Sequence, residues 1–189
     1  MRVTYNAPVS LTFSIFAILV LYADQKMYSG LIQTLFTVEG NTSFNFKAPE
    51  SYFRLVSYVF GHRDWSHLAN NLMFILLLGP ALEEKFGTSS VFFMILFTGI
   101  LGGFINAVFF STPLMGASGI VFMMIILTSF ANIKQGEIPL SFFFVMILYL
   151  WREIRGFLTE KDISQISHIV GGLCGSVFGF TESVFKGKK

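Results

Sequence analysis

Residues 116 to 120 read Gly-Ala-Ser-Gly-Ile, and fifty residues later the run Ser-His-Ile-Val-Gly-Gly occupies 167 to 172. A serine hydroxyl becomes a nucleophile only when a base takes its proton, and histidine, with an ordinary pKa of about 6.5, is the usual base near neutral pH. Ser118 and His168 are therefore the candidate nucleophile and base. Neither stretch carries an Asp or Glu in its apolar part, and Asp162 lies six residues before His168, off its helical face, so a dyad is expected rather than a triad. Acyl transfer also needs donors aimed at the developing oxyanion. The backbone N–H of Ser118, near a helix start, is one. His67 and Asn71, four residues apart on one helix face, are two more, with His62 five residues upstream of His67.

Each group has a plainer reading. Small residues are enriched in membrane helices, and His67 and Asn71 alone would pass for interhelical hydrogen-bonding glue. A lone histidine near a helix end is more often interfacial, and Glu83, Glu84 and Lys85 read as a solvated helix end. What favours chemistry is the conjunction: three separate apolar segments each supply the group that acyl transfer needs.

The elements that must position these residues lie in lipid. Of 189 residues, 53% are hydrophobic and only 13% charged, and the mean hydropathy is +0.67, too apolar for an ordinary soluble domain. Apolar segments run over 8–23, 66–82, 90–111, 115–131, 138–151 and 163–181. A spanning helix needs about 20 residues, so an all-α polytopic membrane protein of six transmembrane helices is expected, the second, fourth and fifth segments being short. With no repeat, linker or low-complexity stretch, residues 1–189 read as one membrane domain. The first apolar run lacks a small-residue cleavage site and reads as a retained helix.

The long connection 24–64, with Phe36, Phe44, Phe46, Tyr52, Phe53, Tyr58 and Phe60 among polar residues, is expected to be partly helical and interfacial. The single cysteine, Cys174, excludes an intrachain disulfide and is a poor candidate for a catalytic thiol. A net charge of +2, with basic residues dispersed over the loops, excludes nucleic acid as a partner. With the N-terminus inside, six basic residues fall inside and seven outside, so charge alone does not orient the chain. Discounting the long loop leaves a weak preference for both termini inside. The three histidines lack companion thiolates or carboxylates at metal-site spacing, so no metal or cofactor is expected.

His168, Gly171, Gly172, Gly175 and Gly179 lie on nearly one helix face, a stripe that lets another helix approach closely, for instance at Gly119. In order, the chain carries Phe53-Arg54, His62, His67 to Asn71, Gly79 with Glu83 and Gly87, Gly116 to Gly119, and His168 with Gly171 and Gly175. In that order and spacing it resembles the rhomboid intramembrane serine proteases. The resemblance implies a six-helix core, a Ser118/His168 dyad, and oxyanion contacts from His67 and Asn71. It implies supporting roles for His62, Gly116, Gly119, Phe122, Gly171, Gly175, Arg54 and Glu83. It also implies a short fourth helix starting below the membrane surface in a water-filled cavity, and a bacterial cytoplasmic membrane with both termini cytoplasmic. The chain departs from the family pattern at Phe53, usually Trp; at Pro80, usually Gly; at Ser167, usually Ala; and at Phe122, where many bacterial members have a tyrosine stacked on the histidine.

The expected activity is hydrolysis of a peptide bond in or near the transmembrane segment of single-span membrane proteins. The alternatives are a catalytically silent rhomboid-like adaptor or chaperone, and a small transporter or channel, which would more often show an inverted repeat. The aromatic fifth segment, with Phe142, Phe143 and Phe144, is the expected gate for substrate entry.

Overall fold

The structure is a computed structural model and describes residues 3–130, 140, 143, 144, 147, 148, 151 and 164–186. Its described elements are helical: α1 Pro8–Lys26, α2 Leu31–Leu35, α3 Pro49–Ser57 followed by a 3-10 turn Tyr58–Phe60, α4 Trp65–Phe86, α5 Thr88–Phe109, α6 Ser118–Phe130 and α7 Ser164–Lys186. Helices α1, α4 and α5 are each long and apolar enough to cross a bilayer. Helix α6 is described over 13 residues, and they are apolar throughout.

The second segment is not short. Helix α4 runs 22 residues, through Pro80 to Phe86. It opens on Asp64, whose carboxylate accepts the His67 N–H at 2.8 Å, satisfying one of the donors that a helix start leaves open. It closes on Gly87, whose φ of 88° is the turn to α5. Its last turn continues beyond the apolar run because Glu83 finds buried partners on α1. Of the fifth segment, Leu140, Phe143, Phe144, Ile147, Leu148 and Trp151 are helical and exposed. Their spacing places them on one face. Phe142 and Asp162 lie outside the described residues, as does most of the expected fifth span.

Helix α6 is the axis of the bundle. Ile120, Met123, Met124, Ile126 and Leu127 are all at most 1% exposed, as expected of a helix that is apolar all round. It packs most extensively on α7, and also on α4 and α5. The aromatics of the 24–64 connection divide between the bundle and the exterior. Phe36, Phe44 and Tyr58 are buried, while Phe46, Tyr52 and Phe53 remain exposed. Phe60 sits against Phe13 and Phe16 of α1, with ring centroids 4.6 Å and 4.8 Å away. The Tyr58 hydroxyl donates to the Gly99 carbonyl of α5 at 3.1 Å.

Candidate active site

The segment joining α5 to α6 is pinned at several points before Ser118. Asn106 Nδ2 donates to the Thr112 carbonyl at 3.0 Å. Val38 and Leu114 exchange two backbone hydrogen bonds of 2.9 Å, and the Gly116 N–H donates to the Tyr58 carbonyl at 2.9 Å. Gly116 adopts φ 112°, a conformation that strains any L side chain. Space excludes one too: a Cβ there would lie 2.8 Å from His67 Cε1, 3.0 Å from its Nε2 and 3.8 Å from Asn71 Nδ2. The polar ends of both α4 residues thus rest against the backbone two residues before Ser118. Ser118 is the first residue of α6 and is half-buried. Its backbone N–H belongs to the first turn, whose donors have no partner within the helix.

On the other side, α6 and α7 cross with their backbones in contact. A Cβ on Gly171 would collide with the Gly119 carbonyl oxygen, and one on Gly119 would lie 2.9 Å from the Ser167 carbonyl oxygen. A Cβ on Gly175 would meet the Met123 carbonyl oxygen at 2.5 Å. Ser118 and His168 are the chain neighbours of two touching residues, Gly119 and Ser167. The His168 ring, buried, stacks on Phe122 with centroids 4.3 Å apart and planes at 38°. Phe122 is one turn beyond Ser118 on the same face of α6. Helices α4, α6 and α7 therefore bring His67, Asn71, Gly116, Ser118, Phe122 and His168 into one neighbourhood.

Further polar side chains are buried around this cluster. Asn71 is 6% exposed, and among the described residues its Nδ2 meets no protein acceptor. A buried amide donor left so costs about 1–3 kcal/mol. His62 is fully buried, its Nδ1 3.2 Å from the Phe60 carbonyl oxygen and its ring edge-on to His67 at 5.0 Å. Burial, with the neighbouring His67 adding to it, pushes the His62 pKa down to about 4, so the ring is neutral near pH 7. The His67 backbone N–H and then the Arg63 side chain hold the Asp64 carboxyl below its ordinary range.

Two expected site residues stand elsewhere. Arg54 donates from Nε to the Thr34 carbonyl and from a terminal nitrogen to Glu39, both at 2.7 Å, so it ties α3 to the α2 segment. Glu83 is not part of a solvated helix end. It is 4% exposed and accepts from the Val9 N–H at 3.2 Å, the Ser10 N–H at 2.8 Å and the Ser10 hydroxyl at 2.7 Å. Its oxygens accept from donors that the start of α1 leaves without partners inside the helix. Glu84 and Lys85 remain exposed. Sequence reasoning missed Tyr58, which holds both Gly99 and Gly116, and Ser10; neither carries a local signal. It also missed Asp64, which the pattern Asp-Trp-Ser-His before an apolar run does signal as a helix cap.

The family model described as Rhomboid domain matches residues 49–185. Over 136 residues, 68% of the chain, it is 25% identical to "Rhomboid-like protein 11, chloroplastic" of Arabidopsis thaliana, covering 44% of that protein. Over 137 residues, 67% of the chain, it is 30% identical to "RHOMBOID-like protein 2" of the same plant, covering 41% of it. The chain thus spans less than half the length of these curated relatives. With a match over residues 49–185, from α3 through α7, the chain is an integral membrane protein that belongs to the rhomboid family.

Proposed function

We propose that the protein is an intramembrane serine endopeptidase with a Ser118/His168 dyad. The observation that carries the reading is the backbone contact of α6 and α7 at Gly119 and Gly171, with His168 stacked on Phe122 one turn from Ser118. In this mechanism His168 takes the Ser118 proton as the hydroxyl oxygen attacks the substrate carbonyl carbon. The carbonyl oxygen becomes an oxyanion, stabilised by the Ser118 N–H, the Asn71 amide and His67. Collapse breaks the C–N bond, and His168 returns the proton to the leaving amine. Water, deprotonated by His168, then hydrolyses the acyl-enzyme and frees Ser118. The Phe122 ring stacked on His168 helps to orient the imidazole.

A substrate helix in lipid has all its backbone hydrogen bonds satisfied, so the scissile region must unwind first. Single-span proteins with helix-breaking or small residues near the bond are the substrate class of this reading. Its setting is a bacterial cytoplasmic membrane with both termini on the cytoplasmic side. The test is reaction of the detergent-solubilised protein with a fluorophosphonate probe. Labelling of wild type, lost in Ser118→Ala and in His168→Ala, is the expected result. A folded wild type that does not label would overturn the protease reading in favour of a membrane-protein adaptor.

A further inference from the structure

A cavity lies away from Ser118. It encloses about 490 Å³ between α1, the end of α3 with its 3-10 turn, and α5. Its lining includes Pro8, Thr12 and Phe16 of α1, Val56 and Phe60 of the connection, and Leu96 of α5. Among the described residues, none of α6 or α7 lines it. The one lining hydroxyl named there, that of Thr12, is already bonded to the Tyr5 hydroxyl at 2.8 Å. Water needs two to four polar partners to settle in a cavity, and this one offers almost none.

The depth of the cavity follows from what flanks it. Glu83 joins the last turn of α4 to Val9 and Ser10, so the exposed charges of Glu84 and Lys85 lie near the start of α1. Charges of this kind lie at the aqueous boundary, and tyrosines such as Tyr5 favour the headgroup level. From Pro8 to Phe16 the helix rises about 12 Å, against about 15 Å for one leaflet of hydrocarbon. The cavity therefore runs from one membrane surface nearly to the midplane and ends on the Phe16 and Phe60 rings, which stack edge-to-face. Its volume holds about sixteen groups of water size, at about 30 Å³ each, and a methylene is of that size. It opens to the outside of the bundle, where two of its lining rings, Phe16 of α1 and Phe92 of α5, are exposed.

We propose that this cavity binds one acyl chain of a bilayer phospholipid, entering at the α1 N-terminus and ending against Phe16 and Phe60. The site rests on the chain spanning a bilayer and not on the protease reading. It touches the candidate active site through one residue. The Phe60 ring lines the cavity, while its carbonyl oxygen is 3.2 Å from His62 Nδ1, and His62 packs on His67. A bound chain would brace the segment that positions His67.

The test uses the full chain in nanodiscs of phosphatidylethanolamine and phosphatidylglycerol, doped with a phosphatidylcholine carrying a mid-chain diazirine. After irradiation, labelled peptides are mapped by mass spectrometry. Label concentrated at Thr12, Val56 and Leu96, over lipid-facing Ile18 and Phe104, is the expected result. Thr12→Trp and Val56→Trp, which fill the cavity from opposite walls, should each cut that label about tenfold, the worth of two methylenes lost from apolar contact. Phe93→Trp, outside the cavity, should leave it unchanged. A thermal melt of each variant reports folding, and only variants that melt cooperatively are compared. Uniform labelling, label indifferent to both fillings, or label displaced by an added single-span protein would each overturn the proposal. Because labelling needs no activity, its failure leaves the Ser118 reading untouched, and loss of the fluorophosphonate reaction leaves this one untouched.

Discussion

Replacing Gly171 by alanine adds one methyl at the tightest contact between α6 and α7. In the native backbone that Cβ would lie 2.8 Å from the Gly119 carbonyl carbon and closer still to its oxygen. Carbon atoms rest at about 3.5–4.0 Å, so the two helices must part by at least about 0.7 Å. No flexible side chain can yield instead, because both atoms belong to the α6 backbone. Over-packing of this kind costs about 1–3 kcal/mol, which lowers the melting temperature by several degrees for a chain of this size. The larger consequence is chemical. Ser118 is next to Gly119 and His168 is one turn from Gly171, so the separation falls on the dyad itself, and a misplacement of about 1 Å costs about a hundredfold in rate. The assay is the second-order rate of fluorophosphonate labelling in nanodiscs, with Ile169→Ala, on the exposed side of α7, as the control. Labelling of Gly171→Ala at the wild-type rate, with or without a lower melting temperature, would refute the argument that this crossing sets the dyad geometry.

Two further outcomes follow from buried polar groups. Glu83→Ala removes the acceptor for two backbone N–H groups and the Ser10 hydroxyl, a loss of about 1–3 kcal/mol for each group left buried and unpaired. Glu83→Gln, which keeps one acceptor oxygen, should melt between Glu83→Ala and wild type, and equal melting of all three would sink this account. His62 has a folded pKa of about 4 against an ordinary 6.5, so the unfolded chain binds the extra proton first as pH falls. Its contribution is full above about pH 6.5, falls by roughly 3 kcal/mol as the pH drops to about 4, and changes no further below that. Thermal melts from pH 7.5 to 4 should show the decline, and His62→Gln should flatten it; equal pH slopes in the two proteins would count against a neutral buried ring.

Much of the candidate site was legible because its chemistry requires particular residue types at helical spacing. His67 and Asn71 share a face because they are four apart, and the Gly171 and Gly175 stripe announces a close crossing whatever its partner. Where the polar residues are buried was harder to read. Glu83 sits beside Glu84 and Lys85, and local pattern cannot distinguish a carboxylate in water from one capping a helix 73 residues away in sequence.

From composition and periodicity alone, the chain is committed to a bilayer and to apolar helices, because lipid leaves the backbone no partners but its own. The order of the motifs also determined its family. Only the tertiary structure decided that α4 runs on past its apolar segment, that aromatics of the 24–64 connection pack into the bundle, and that Arg54 and Glu83 serve the scaffold. The pinning of Gly116 by Tyr58 was likewise invisible in the sequence. Each of these depends on contacts between residues distant in the chain, and periodicity, which acts over a few turns, carries no information about such partners.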